Sequence, residues 1–321
     1  MNRRVLFKLM AAVSLCGVSA LAWSQAAAWP TKPVRILVGF PAGSTPDSAA
    51  RALADGLTGV LGQPVIVENK AGSSGNLAAG LVAKATDDHT LGVVINGNLT
   101  TAKDMNPALG FDPVKDFAYL SLLTTAPMAL VTQANRPEGA AFFKDAVANG
   151  DRWNYGSVGA GSGAHLGMEM LKTKVPGMKP VHIPFQGNPA VVTALIGGLI
   201  DLALVPPGLV VPHVKSGKLR IVGLTSGRST LAPEAASLTE AGVKDFNLEV
   251  WTALVGPAKL SKAAQDRLKL EIPKLLRTPE IRQRLFLQGW NTVGSSPEGL
   301  QARVSDESAA LKAVIKSANI K

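Results

Sequence analysis

The sequence predicts an α/β fold in two lobes, each a mainly parallel sheet flanked by helices, and three observations predict it. Short apolar runs alternate with helix-period stripes, the order that builds parallel sheets covered on both faces. The alternation occurs as two series, separated by one long apolar section from Tyr119 to Val131. Setting aside the first 28 of 321 residues leaves 293, too many for most single cores and suited to two domains.

The first series opens with a buried strand, Val34 to Val38. Residues 47–61 then place Ala50, Leu53, Ala54, Leu57 and Leu61 on one helical face. Val65 to Val67 is a second strand. Leu77, Ala78, Leu81, Val82 and Ala85 form a second helical stripe, and Leu91 to Ile95 a third strand. Tyr119 to Val131 is expected to be a strand crossing between the lobes. The second series runs through a strand at 153–158, a helix at 165–174, a strand at 181–185 and a helix at 189–196. Strands at 199–205 and 219–225 complete it. Leu248 to Val255 is strand-like and is expected to return the chain to the first lobe. The tail from Ser261 to Trp290 is helical in pattern, with Pro273 and Pro279 expected to break it. The lobes are therefore expected at 29–127 plus 250–321 and at 128–249, with a cleft between them.

The start of the chain reads as an export signal. Arg3, Arg4 and Lys8 precede an apolar run from Leu9 to Trp23, and small residues follow to Ala28. At 15 residues that run is shorter than the roughly 20 needed to span a bilayer. Residues 1–28 are therefore expected to be a signal peptide, cleaved between Ala26 and Trp29, with a soluble mature chain. The single cysteine, Cys16, lies inside this segment. The mature chain then has no thiol for disulfides, catalysis or metal ligation. Losing three cations and no acid takes the formal charge from +10 to +7. These charges stand singly, without a basic block or interleaved aromatics, so nucleic acid is not an expected partner.

Three loops carry the candidate chemistry. "GFPAGSTPDSAAR" (39–51) joins a strand to a helix; Thr45 suits an N-cap, Pro46 the first turn and Asp47 the positive end of the dipole. "NKAGSSGNLAAG" (69–80) and "NYGSVGAGSGAHLGME" (154–169) repeat the arrangement with glycine and serine. Helix N-termini behind small-residue loops present free N–H groups to an anion. One such loop is a plain turn as readily as a cradle. Three, all at the carboxyl ends of parallel strands, lie where open α/β sheets bind ligands.

Rival chemistries lack parts. Residues 159–164 fit the dinucleotide pattern, but no acid stands about 20 residues on, where the ribose needs one. No serine sits in a nucleophile elbow, and the four histidines show no metal-ligand spacing. His165 either braces its loop or touches the ligand. His182 and His213 read as structural, and Asp47 reads as a first-turn or loop-bracing carboxylate.

The motifs together resemble one family. "WPTKPVRILVGFPAG", "LGQPVIVENKAGSSGN", "FDPVKDF", "WNYGSVGAGSGAHLG", "VHIPFQG", "GGLIDLAL", "PHVKSGKLRIVGLTS", "LTEAGV" and "VWTALVGPA" span the chain. It resembles the Bug (TctC-like) receptors, periplasmic solute-binding proteins of tripartite tricarboxylate transporters. The resemblance implies a two-lobed Venus-flytrap of type II-like topology that closes on a small organic carboxylate, with no cofactor. Hinges are expected near 125–130 and 245–255. It also implies a monomer that delivers its ligand to membrane transporter subunits.

The site residues implied are Phe40, Ala42, Gly43, Ser44, Thr45 and Asp47 on the first loop and Ser73, Ser74 and Asn76 beside it. Ser157, Ala160, Gly161, Ser162, Gly163 and His165 belong to the opposite loop, with Val205 facing the ligand's distal end. Ser44 and Pro46 depart from the family's usual glycine and threonine. Val158, Ala160 and Gly163 stand where polar residues are common. Val205 replaces a frequent aspartate, which argues against an amino acid as ligand and for an aliphatic dicarboxylate or aromatic acid. A secreted α/β hydrolase and a sensory receptor without a transport role are the alternatives.

Overall fold

The computed structural model describes residues 29–317, so the expected signal segment lies outside the described residues. The first series forms β1 (Val34–Val38), α1 (Thr45–Leu61), β2 (Val65–Asn69), α2 (Asn76–Ala83) and β3 (Thr90–Ile95). Two short helices, α3 (Asn96–Thr100) and α4 (Ala102–Met105), lead to β4 (Phe117–Pro127). The second series forms β5 (Ala129–Gln133), α5 (Gly139–Asn149), β6 (Asn154–Ser157), α6 (Gly163–Lys174) and β7 (Val181–Pro184). It continues through α7 (Asn188–Ile196), β8 (Leu202–Val205), α8 (Val211–Lys215) and β9 (Leu219–Leu224). Last come β10 (Glu249–Pro257), α9 (Lys262–Leu276), α10 (Pro279–Phe286), β11 (Asn291–Thr292) and α11 (Pro297–Ser317).

Two sheets result, one ordered β11-β4-β10-β3-β1-β2 and the other β7-β6-β8-β5-β9. β1 pairs in parallel with β2 and β3, and β10 is antiparallel to both β3 and β4. So β4 points with β1–β3. In the second sheet β6 pairs in parallel with β7 and β8, and β5 is antiparallel to β8 and β9. Each sheet is thus mixed, a parallel set of strands joined to antiparallel ones: three of the five neighbouring pairs in the first sheet and two of the four in the second are antiparallel. Three strands are reversed: β5 and β10, which the chain enters from the other sheet, and the two-residue edge strand β11, which follows α10. Without an intervening helix crossover, nothing forces a strand to run parallel.

Several local expectations change. The apolar section 119–131 is two strands split at Met128, because the chain changes sheets there. The cap of α1 is Ser44, one residue before the expected Thr45, with extended backbone at φ −70° and ψ 161°. On α2, Leu77 and Leu81 lie outside at 50% and 44% exposure, while Ala78, Ala79 and Val82 are buried. Small side chains let that helix approach its sheet closely. Pro273 lies inside α9 and does not end it. The carbonyl it frees belongs to Lys269, on the solvent side, where water can satisfy it. Pro279 does open α10.

The two crossing segments are tied together by Thr225, which is fully buried. The Met128 N–H donates to its hydroxyl (2.8 Å), and that hydroxyl donates to the Leu248 carbonyl (2.6 Å).

Candidate functional site

The first loop is held from behind by Asp47. Its carboxylate accepts from the Gly43 N–H (2.9 Å), Arg51 Nε (3.0 Å) and Asn69 Nδ2 (2.8 Å). Burial works against its charge, but the bonds from Arg51, Asn69 and Gly43 prevail and hold it below the usual carboxylate range. With Asp47 doing the bracing, Ser44 caps α1 only through its backbone and its hydroxyl makes no bond there.

The second loop is braced from within. The Ser162 hydroxyl accepts from the His165 N–H (3.3 Å) and donates to the Gly159 carbonyl (2.7 Å). His165 Nδ1 accepts from the Gly161 N–H (3.2 Å), and Ser157 Oγ accepts from the Gly159 N–H (3.0 Å). Ser157 Oγ also lies 2.6 Å from His182 Nε2. Behind the loop, His165 and His182 stack near Tyr155, with the two imidazole centroids 4.3 Å apart. Burial, reinforced by neighbouring His165, pushes His182 down to about 4, and burial lowers His165 as well. The Ser157–His182 pair is no nucleophile: Ser157 is fully buried, and its hydroxyl is bonded within the loop to Gly159.

Between the sheets lies a small cavity. Three helix N-termini meet at it. Ser44, Thr45 and Pro46 open α1; Ser162, Gly163 and Ala164 open α6; Gly187 and Asn188 open α7. Asn188 Nδ2 donates to the Thr45 hydroxyl (3.3 Å), joining the two sides. Phe40, Ile95, Met128, Val158, Pro206, Val250, Trp251 and Trp290 supply an apolar wall, with Asn96 among them. Three buried polar atoms here have no partner: Ser44 Oγ, Asn188 Oδ1 and Trp290 Nε1. Their residues are 3%, 7% and 3% exposed. Orphan buried groups are costly, and three around one cavity indicate that something else satisfies them.

Two other wall residues are fixed from behind by α11. Glu307 accepts from Trp251 Nε1 (2.6 Å) and Asn96 Nδ2 (3.0 Å), while Arg303 Nε (3.2 Å) offsets its charge. α11 was not legible as an element from the apolar pattern, although Ser296-Pro297 is an N-cap followed by a first-turn proline.

A second cleft adjoins the first, sharing Ile95 and Ser162, and is lined by Ser73, Ser74, Asn76, Ala160 and Gly161. The two lobes touch across it. The Thr101 hydroxyl donates to the Gly161 carbonyl (2.9 Å), and a Cβ at Gly97 would overlap that carbonyl. Gly159, at φ +117°, approaches Ser74 as closely.

The structure therefore brings Phe40, Ser44, Thr45, Ser162 and Gly163 to the main cavity, and Ser73, Ser74, Asn76, Ala160 and Gly161 to the adjoining cleft. Ala42 and Gly43 sit exposed at the loop tip instead. Asp47, Ser157 and His165 are buried braces, because their polar atoms are spent on the loops themselves. Val205 does not face the cavity: it is fully buried in the core of the second lobe, paired with Ala129. Its neighbour Pro206 lines the wall. Asn188 and Trp290 were missed. For Asn188 the signal was present, since Gly187-Asn188-Pro189 spells another glycine-led helix start with proline in the first turn. Among the described residues no group of three His, Cys, Asp or Glu could hold a metal ion.

Residues 49–320 match the family model described as the tripartite tricarboxylate transporter family receptor. A protein encoded in the gbd 5′ region of Cupriavidus necator is 33% identical over 282 residues, 86% of this chain and 85% of that one. Protein BugT of Bordetella pertussis is 28% identical over 284 residues, 87% of each. Among solved structures, the periplasmic binding protein BugD superimposes with a TM-score of 0.85 at 26% identity, over 91% of this chain and 99% of its own. MatC from Rhodopseudomonas palustris with bound malate gives 0.83 at 27%, over 89% and 100%. A protein of the same organism solved with adipate gives 0.86 at 26%, over 91% and 98%. This chain belongs to the tripartite tricarboxylate transporter receptor family, whose structural neighbours are two-lobed solute-binding proteins and not enzymes.

Proposed function

We propose that this protein is a periplasmic receptor that captures a small organic carboxylate between its lobes and delivers it to a tripartite membrane transporter. The carrying observation is the cavity where three helix N-termini meet three unpartnered buried polar atoms. Helix starts supply N–H groups that no residue of the helix itself can accept, with a positive dipole end behind them. A carboxylate accepts from such groups without a formal cation, and none lines this cavity. Malate and adipate in the neighbouring structures support that ligand class. The lobes would open about the two crossings tied at Thr225, and a ligand touching both would favour the closed state.

The test is a thermal-shift screen of the mature chain against mono- and dicarboxylates, aliphatic and aromatic, followed by calorimetry. A ligand at about a hundredfold above its dissociation constant should add about 2.7 kcal/mol of apparent stability. No shift with any of these acids overturns the reading.

A further inference from the structure

We propose that the ligand carries a single carboxylate and an uncharged hydroxyl, which Trp290 and Asn188 read. The inference rests on the carboxylate-receptor reading above and narrows it, away from the dicarboxylates that neighbouring structures hold.

Charge decides the first half. No residue lining the cavity is ionisable. Two acids stand behind its lining, Asp47 in the first turn of α1 and Glu307 against Trp251 and Asn96, and each is held by an arginine, Arg51 and Arg303. Each helix N-terminus is worth about half an elementary charge, so α1, α6 and α7 together offer roughly one and a half. That balances one carboxylate and leaves too little for a second, whose burial without a partner is strongly unfavourable. An ammonium fares no better, since Val205 lies inside the second lobe's core and no carboxylate reaches the cavity wall.

Hydrogen bonding decides the second half. An indole N–H only donates, so Trp290 Nε1 needs an acceptor. Asn188 gives its Nδ2 to Thr45, which leaves Oδ1 needing a donor. A hydroxyl supplies what each lacks, an acceptor for the indole and a donor for the amide oxygen. A second carboxylate would leave Asn188 Oδ1 facing an acceptor, and a methyl end would leave both atoms orphaned. The contrast with Trp251 is informative: its indole N–H is already taken by Glu307, so it offers only an apolar face. Ser44 Oγ stands at the start of α1 and goes with the carboxylate.

The experiment is calorimetry of the mature chain with two matched sets. The four-carbon set is butyrate, 3- and 4-hydroxybutyrate, succinate and 4-aminobutyrate; the six-carbon set is hexanoate, 6-hydroxyhexanoate, adipate and 6-aminohexanoate. A hydroxy acid should bind about tenfold tighter than its alkyl analogue and roughly a hundredfold tighter than the matched dicarboxylate or amino acid. Trp290→Phe keeps the ring and removes the donor. It should cut the hydroxy acid's advantage over the alkyl acid to about threefold, since Asn188 Oδ1 still accepts from the hydroxyl, and weaken the alkyl acid less than the hydroxy acid; retained binding of the alkyl acid also shows that the variant folds. A dicarboxylate, amino acid or alkyl acid binding as tightly as the hydroxy acid overturns the inference while the receptor reading stands. So does equal weakening of every acid by Trp290→Phe. If none of the nine acids binds, this inference is overturned; the receptor reading falls with it only where the wider screen of aliphatic and aromatic carboxylates is blank as well.

Discussion

The two loops that face each other across the cavity are spelled alike and built differently. Each ends in a serine that caps a helix, after glycine and small residues. In the first lobe the bracing comes from outside the loop, through Asp47, Arg51 and Asn69, and the Ser44 hydroxyl is left unbonded. In the second lobe the loop braces itself, and the Ser162 hydroxyl is spent on Gly159 and His165. The difference teaches that a capping serine keeps its hydroxyl unbonded where another residue carries the structural load, as Asp47 does for Ser44.

The sharpest way to break this contrast is Ser44→Glu. An added carboxylate in an uncharged, buried cradle should cost an anionic ligand about 3 kcal/mol or more, roughly a hundredfold in affinity, by calorimetry. Unchanged affinity would remove the first loop from the site. Next comes the pair of alanine replacements. Ser162→Ala should destabilise the ligand-free protein by about 1–2 kcal/mol in urea unfolding, since it removes a cap and orphans its partners. Ser44→Ala should cost less than about 0.5 kcal/mol, because no internal bond is lost, yet it should weaken ligand. Equal destabilisation by the two variants would erase the distinction.

The smallest effect concerns the histidines behind the second loop. His182 is pushed down to about 4 by burial, with His165 adding to it. Below its ordinary value of 6.5 the unfolded chain takes up a proton that the folded one refuses until about 4. Stability should therefore be complete above pH 6.5 and fall as the pH drops through that window. The loss is on the order of 1–2 kcal/mol once His182's partial exposure is discounted. Melting curves between pH 7 and 4.5 check it, and His182→Gln should flatten the slope. A slope unaltered by that change would place the acid sensitivity elsewhere, for instance at His165, which is also lowered.

Much of the architecture was legible because period and punctuation are local. The stripe Ala50, Leu53, Ala54 and Leu57 is buried as its spacing implies. The loops at 39–51 and 154–169 sit at strand ends, as their glycines and serines suggest. The stripe at Leu77 and Leu81 misled, since which face of a short helix is covered depends on what packs against it. Pro273 misled for a related reason: its cost depends on whether the freed carbonyl can reach water.

The sequence by itself determined the alternation of strands and helices, the family, and the three small-residue loops at strand ends. Those follow from side-chain period and backbone freedom, both properties of short stretches. Only the tertiary structure decided which hydroxyls remain free, that Val205 turns into the core, and that Asn188 and Trp290 come to the cavity beside Ser44. Whether a polar atom is satisfied depends on partners brought from far along the chain. Trp251 meets Glu307 across 56 positions and Asn188 meets Thr45 across 143. No window of sequence contains both members of such a pair.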